Sequence, residues 1–216
     1  MCDSLGKNHH TAGFAGHLSY LLLMLLVAAN RIRTSDVALV TTWNQDQTAI
    51  PFIDISDALL ALVLLDGAVD AGVVMNYETF LRIGIKTVES EFHCVTQWSK
   101  LHNIWEGVLF KDVLKQVSVQ TRAKYAMIHC FGDYSINLPL DVLMDDDVLF
   151  AIKHDGHEIT VEHGAPLRLV VPKRYGWKSA KWVNGIELMD ENRPGFWESR
   201  GYHMEGDPWK EERFAT

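Results

Sequence analysis

Residues 163–182 read His163-Gly164-Ala165-Pro166-Leu167-Arg168-Leu169-Val170-Val171-Pro172-Lys173-Arg174-Tyr175-Gly176-Trp177-Lys178-Ser179-Ala180-Lys181-Trp182. Leu167 to Val171 is an apolar run that Pro172 ends, the pattern of a buried strand, because proline has no N–H to give to a sheet ladder. Downstream, Lys181 to Leu188 alternates apolar and polar residues as a half-buried strand does. Upstream, Val148 to Lys153 and Glu158 to Val161 flank Asp155-Gly156, a strong signal for a tight hairpin turn. Lys124 to His129 is a further alternating strand, and Ala58 to Leu65 reads as a short core helix or strand. Two short helices are expected. Phe110 to Val117 has apolar residues at helical spacing, and Tyr77 to Leu81 follows Asn76 as N-cap, with Glu78 in the first turn and Gly84 as the stop. Pro194 to Phe214, rich in Gly, Trp and Tyr without periodicity, reads as an ordered loop packed over the core. Strands outnumber helices, so the expected class is α+β with a mainly antiparallel β core.

The chain has 216 residues, 48% hydrophobic and 22% charged, which fits one globular domain with a short appendage and excludes a disordered or collagen-like chain. A chain of this length buries roughly 70% of its unfolded surface, so folding needs no disulfide or metal staple. Lys+Arg of 20 against Asp+Glu of 28 gives a net charge of -8, the wrong sign for counterion-release binding of nucleic acid. Three cysteines, Cys2, Cys94 and Cys130, suit a reducing compartment better than a stapled secreted domain. Residues 18–29 (LSYLLLMLLVAA) form an apolar run too short to span a bilayer, which takes about 20 residues. The run is expected to be a buried or interfacial helix, the alternative being the apolar part of a signal peptide. The chain therefore divides into an atypical segment 1–63 and a domain 64–216.

Arg168, Lys173, Arg174, Lys178 and Lys181 concentrate cations in an otherwise acidic protein. With Gly164 and Gly176 admitting close backbone approach and Ser179 offering a hydroxyl, the segment suits an anion such as a phosphate. The same pattern also describes a solvated basic sheet edge, and composition does not choose between them. Cys94, bracketed by Phe92, His93 and Trp98, is either a core residue or a reactive or metal-bound thiolate. His93-Cys94 and His129-Cys130 are adjacent pairs; neighbours on a strand face opposite ways, so each offers one easy ligand, which disfavours a zinc site.

Several motifs in one order carry a resemblance. They are Phe92 to Thr96 with Trp98-Ser99, Asn137-Leu138-Pro139-Leu140, His163 to Pro172, Tyr175 to Trp182, and Pro194 to Glu198 through Gly201-Tyr202-His203. Over roughly residues 64 to 214 the chain resembles the sulfite oxidase family of molybdopterin-dependent oxidoreductases. Within that family it is most similar to the small stand-alone bacterial members and to the catalytic subunit of the protein-methionine-sulfoxide reductase. The resemblance implies a sulfite oxidase-type molybdopterin-binding domain whose cofactor is molybdenum bound to molybdopterin. It implies that Cys94 ligates the metal, and that His163, Arg168, Ser179, Ala180 and Lys181 hold the pterin and its phosphate. It further implies a cofactor contact at His129, with Tyr134 and Asn103 lining the pocket and Tyr134 close to the chemistry.

The departures bear on function. The family's sulfite oxidases carry an arginine-rich stretch after the cysteine; here Val95 to Lys100 holds a single cation, which argues against classical sulfite oxidation. The chain has no twin-arginine signal, haem motif, flavin motif or iron–sulfur motif. The expected activity is oxygen-atom transfer to or from a small oxo-donor or oxo-acceptor (an S-oxide, an N-oxide or a sulfite-like anion), with a separate electron-transfer partner. Alternatives are a protein-methionine-sulfoxide reductase and a cofactor-free binding module that kept the fold. The expected location is the cytoplasm, with a periplasmic or membrane-associated protein, held through 18–29, as the alternative.

Overall fold

The computed structural model describes residues 62–215. Segment 1–61, with the apolar run 18–29, lies outside the described residues. Among the described residues, ten strands form two five-stranded sheets. The first sheet has the order β2-β1-β10-β5-β6, built from β1 (Leu62–Gly67), β2 (Val73–Asn76), β5 (Tyr125–Cys130), β6 (Ser135–Pro139) and β10 (Val183–Met189). The second runs β3-β4-β7-β8 with β9 beside β7, from β3 (Ile85–His93), β4 (Ser99–Leu109), β7 (Leu149–His154), β8 (His157–Glu158) and β9 (Arg168–Val170). β1 and β10 run parallel; the other ladders are antiparallel.

The helical share is small. Among the described residues the α-helices are α1 (Tyr77–Leu81), α2 (Phe110–Leu114) and α3 (Leu140–Leu143). The described residues thus form a mainly antiparallel β structure with short helical connections, and among them the helical half of the α+β expectation shrinks to these turns. α1 starts as its sequence demands, with Asn76 Oδ1 accepting the Thr79 N–H at 2.8 Å. α2 stops at Leu114 rather than Val117, because the Lys115 N–H turns back to Val113 O. The segment 158–161 leaves the sheet after Glu158, and Val161 opens a 3-10 turn.

Both sheets bury residues in one core. Val63, Leu65, Ile128, Ile136, Leu138 and Ile186 come from the first sheet, and Val108, Phe150, Ile152 and Leu169 from the second. α1 and α2 add Phe80 and Phe110, whose rings meet Phe150 at 5.5 and 5.8 Å. Burying each such side chain contributes roughly 1.5–3 kcal/mol. The opposite face of the second sheet carries a smaller cluster of Trp105, Leu109, Leu149, Ala151, Ile159 and Val170, with Val88 and Phe92 packed against it. β7 therefore sends Phe150 and Ile152 to one apolar face and Leu149 and Ala151 to the other, which is why Val148–Ile152 reads as an unbroken apolar run.

Two glycines let strands approach. At Gly107, beside a bulge between β4 and β7, a Cβ would lie 2.0 Å from Phe150 O. At Gly67 it would lie 2.2 Å from Leu188 O. No described helix is long and apolar enough to cross a membrane.

Candidate active site

Cys94 begins the turn that joins β3 to β4. Its N–H donates to Trp98 O at 2.9 Å and its carbonyl accepts the Gln97 N–H at 3.0 Å, with Gln97 in the left-handed region at φ 71°. The thiol is buried, 2% exposed, and its Sγ makes a 3.0 Å hydrogen bond with Thr96 Oγ1. A soft sulfur donor is thus presented by a short turn whose own backbone bonds fix its direction.

The segment 163–182 meets this turn. Tyr175 bridges to His93 in parallel register, and a Cβ at Gly176 would lie 2.6 Å from the Phe92 ring. Only glycine lets the backbone come this close. Arg168, on β9, lies over the Phe92 and Trp105 rings at 5.3 and 5.7 Å, and its Nη1 donates to His163 O at 3.0 Å. Lys181 Nζ donates to Glu162 O at 2.8 Å, so both cations reach the loop 162–164. Gly164 sits between them at φ +116°, where a Cβ would meet Arg168 Cβ and Lys181 Cβ and Cγ, each at 3.1 Å. His163 Nδ1 is hydrogen-bonded to Thr160 Oγ1 at 2.7 Å.

Side-chain bonding shapes the rest of the segment. Ser179 Oγ accepts the Val171 N–H at 3.0 Å, which draws Val171 out of the ladder and ends β9 at Val170. Ala180 O accepts the Leu169 N–H at 2.8 Å, holding 179–181 alongside β9. Trp182, at φ 59°, donates its N–H to Gly164 O, so β10 begins at Val183 and not at Lys181.

The five cations of this segment are not one anion site. Lys173 pairs with Asp145 at 2.8 Å and Arg174 with Glu205 at 3.3 Å. Lys178 is fully buried: its Nζ meets Glu198 Oε1 at 2.7 Å and donates to Asn137 O, Asn137 Oδ1 and Met204 O at 2.7–2.9 Å. Burial lowers its pKa against the opposing pull of Glu198. The anion reading contracts to Arg168 and Lys181 around Gly164.

The other expected residues lie at different distances from this centre. Asn103, on β4, is buried, donates to Ser90 O and Lys100 O at 3.2 and 2.9 Å, and holds His154 Nε2 at 3.0 Å through Oδ1. Tyr134, in the β5–β6 turn, donates its hydroxyl to Trp177 O at 2.7 Å and so braces the 176–178 turn. His129 lies in the other sheet, where its Nε2 pairs with Glu187 at 3.1 Å, and among the described contacts its ring meets no residue of the Cys94 turn. Cys130 is buried and its thiol is pushed up to about 12 by desolvation, so it is an inert core residue at neutral pH.

Four residues of this region were not legible as site residues. His154 stacks on Trp105 at 4.1 Å; desolvation lowers its pKa, and the charges of Lys100, Arg168 and His163 reinforce the shift. Trp105 Nε1 is buried with no acceptor among the described residues. Trp209 lies edge-on to His93 at 4.9 Å, and Glu198 closes the Lys178 cage. His154-Asp155-Gly156 reads only as a turn, and no local signal connects residues 198 and 209 to Cys94.

These features suit one kind of group: a buried thiol would serve a soft metal, Arg168 and Lys181 beside the glycine cradle would suit a phosphate, and the Trp105 indole N–H has no acceptor among the described residues. Residues 49–197 match the model of the family described as oxidoreductase molybdopterin binding domain, more than half of the chain. The chain belongs to this family. It is an enzyme of the sulfite oxidase family, and its cofactor is molybdenum carried by molybdopterin. It is 43% identical over 149 residues to the uncharacterized oxidoreductase YuiH of Bacillus subtilis (strain 168), which covers 69% of this chain and 75% of that protein. It is 33% identical over 123 residues to the protein-methionine-sulfoxide reductase catalytic subunit MsrP of Pseudomonas syringae pv. tomato, covering 49% of this chain but 36% of that one. The sulfane dehydrogenase SoxCD of Paracoccus pantotrophus shares the fold, with a TM-score of 0.56 at 24% identity over 62% of this chain and 39% of its own.

Proposed function

We propose that this enzyme reduces neutral S-oxides, with electrons from a separate redox protein. One observation carries the choice of substrate. Lys100, the single cation of the stretch after Cys94, is bound to Asp155 Oδ2 at 2.7 Å and lies 3.2 Å from His154 Nε2. The backbone N–H of Ile104, together with Lys100, holds the Asp155 carboxyl down to about 2, so this pairing persists across the physiological range. Beside Cys94 the structure therefore offers aromatic and hydroxyl groups, with Glu91 Oε2 3.5 Å from His93 Nε2. Among the described residues of the stretch after Cys94, a sulfite-like anion would meet only Lys100, already engaged by Asp155. The likeness to a protein-methionine-sulfoxide reductase subunit supports the same reading.

In this proposal the S–O bond breaks, two electrons and two protons enter, and a thioether and water leave. When bound, the cofactor supplies two-electron oxygen-atom transfer at a sulfur-ligated metal. Cys94 is the protein's ligand, kept in place by the Trp98 carbonyl and Thr96 hydroxyl. Arg168 and Lys181 would hold the pterin phosphate, Arg168 as a planar fork and Lys181 as a point charge. His163 orients the loop between them, Ser179 and Ala180 hold the backbone beside β9, and Asn103 and Tyr134 fix the neighbouring turns.

The test is a steady-state assay of the molybdenum-loaded protein with reduced benzyl viologen as donor. Dimethyl sulfoxide and methyl p-tolyl sulfoxide should be turned over, and sulfite should reduce ferricyanide slowly or not at all. Efficient sulfite oxidation with no sulfoxide turnover would contradict the proposal.

A further inference from the structure

Arg168 on β9 is the register partner of Ala151 on β7, and Gly107 of β4 lies opposite Ala151 on its other side. Ala151 belongs to the smaller apolar cluster, so the Arg168 side chain leaves the second sheet on that face. The row it enters holds an alanine and then a glycine, neither with a bulky side chain to stop the arm. The guanidinium carbon ends 5.3 Å from the centre of the Phe92 ring and 5.7 Å from that of Trp105. Both distances lie within the ~6 Å over which a ring face attracts a cation. Arg168 Nε is buried, and Nη1 donates to His163 O at 3.0 Å.

The Trp105 ring is itself held. It is buried in the sheet, and the imidazole of His154, its register partner on β7, stacks on it with centroids 4.1 Å and planes 22° apart. Asn103 sets the imidazole. Its amide nitrogen donates to Ser90 O and Lys100 O, so its Oδ1 is the acceptor and takes the His154 Nε2–H at 3.0 Å. Burial, then the charges of Lys100 and Arg168, hold His154 toward its neutral form, so the stacked ring adds no further cation beside Arg168. The chain of support is continuous: Asn103 orients His154, His154 covers Trp105, and Trp105 carries the guanidinium.

We propose that Trp105 and His154 are positioning residues for Arg168, laying its guanidinium out in advance for the phosphate of the cofactor. This rests on the reading of Arg168 as the phosphate fork. An unrestrained arginine surrenders rotamer freedom when it binds, and one already laid over two rings surrenders less. Ring faces attract the cation without occupying its N–H edge, the edge that recognises phosphate oxygens. Phe92 stands two residues before Cys94, so the same grip ties the fork to the strand that presents the metal ligand.

The experiment measures how fast molybdenum and pterin leave the loaded protein during dialysis, with no turnover involved. Trp105→Leu, which keeps apolar bulk but no ring, should speed that loss about fivefold, and Trp105→Phe, which keeps a ring, should stay within about twofold of wild type. The decisive comparison is a double-mutant cycle. In an Arg168→Met background Trp105→Leu should add less than about twofold, whereas in a Lys181→Met background it should keep its full effect. His154→Leu should follow the same pattern with about a twofold effect, and it serves where Trp105→Leu does not fold. An effect of equal size with and without Arg168 would overturn the inference and leave Arg168 as the phosphate fork. Equal losses in Trp105→Phe and Trp105→Leu would overturn it too, by showing that the ring is not what matters. Arg168→Met that keeps its cofactor as wild type does would overturn the phosphate reading and this inference together.

Discussion

Lys178 shows how one residue changes meaning between sequence and structure. In the sequence it is one of five cations beside a glycine; in the fold it is fully buried, with four oxygen neighbours. Its ammonium joins β6 through Asn137, the 3-10 turn at 198–200 through Glu198, and the C-terminal segment through Met204. Trp177 Nε1 donates to the same Glu198 at 3.0 Å. Removing one member of a buried pair strands the other charge, which typically costs 3–5 kcal/mol. Lys178→Met should therefore destabilise the protein by about 3–5 kcal/mol in urea unfolding, and Lys178→Met with Glu198→Gln by clearly less than the sum of the single variants. Additive losses would show that the two groups do not act as a pair. The sequence could not announce this, because Lys178 and Glu198 are separated by a strand and a loop. Arg168 and Lys181, by contrast, were set apart from the other three cations only by the family resemblance, not by composition or spacing.

At the scale of elements, the hairpin turn at Asp155-Gly156 and the N-cap at Asn76 formed where local chemistry demanded them. Asp155 and Gly156 take φ of 50° and 78°, the left-handed pair that a two-residue turn requires. The longest strands, β3 and β4, were the least legible, because residues 85–105 mix charged and aromatic side chains without clean alternation. They are held by pairing with each other and by the β4–β7 ladder, where Gly107 admits the Phe150 carbonyl. Gly107→Ala forces a Cβ into that carbonyl, a backbone clash that no rotamer relieves. The variant should lose about 1–3 kcal/mol of stability in denaturant titration. It should also lower molybdenum retention, since β4 is the return strand of the Cys94 turn. Wild-type stability in this variant would mean that the bulge is not needed. A shift of the hairpin would be felt at Arg168 as well, through the Phe92 and Trp105 rings beneath it.

At the scale of the whole molecule, two mainly antiparallel sheets of the described residues share a core and bring the Cys94 turn and the segment 163–182 into contact. The β-rich class and the order of the motifs were readable from 163–182 outward. The grouping of His154, Trp105 and Trp209 around the turn was not, because tertiary packing alone unites them. The central claim is that this grouping holds a molybdenum centre through Cys94. Its most direct test is the molybdenum and pterin content of wild type and Cys94→Ser, purified from a host that makes the cofactor, with X-ray absorption at the metal. The account predicts stoichiometric molybdenum in wild type and one fewer sulfur neighbour, or lost metal, in Cys94→Ser. An identical metal environment in both proteins, or folded wild type that takes up no molybdenum, would contradict it.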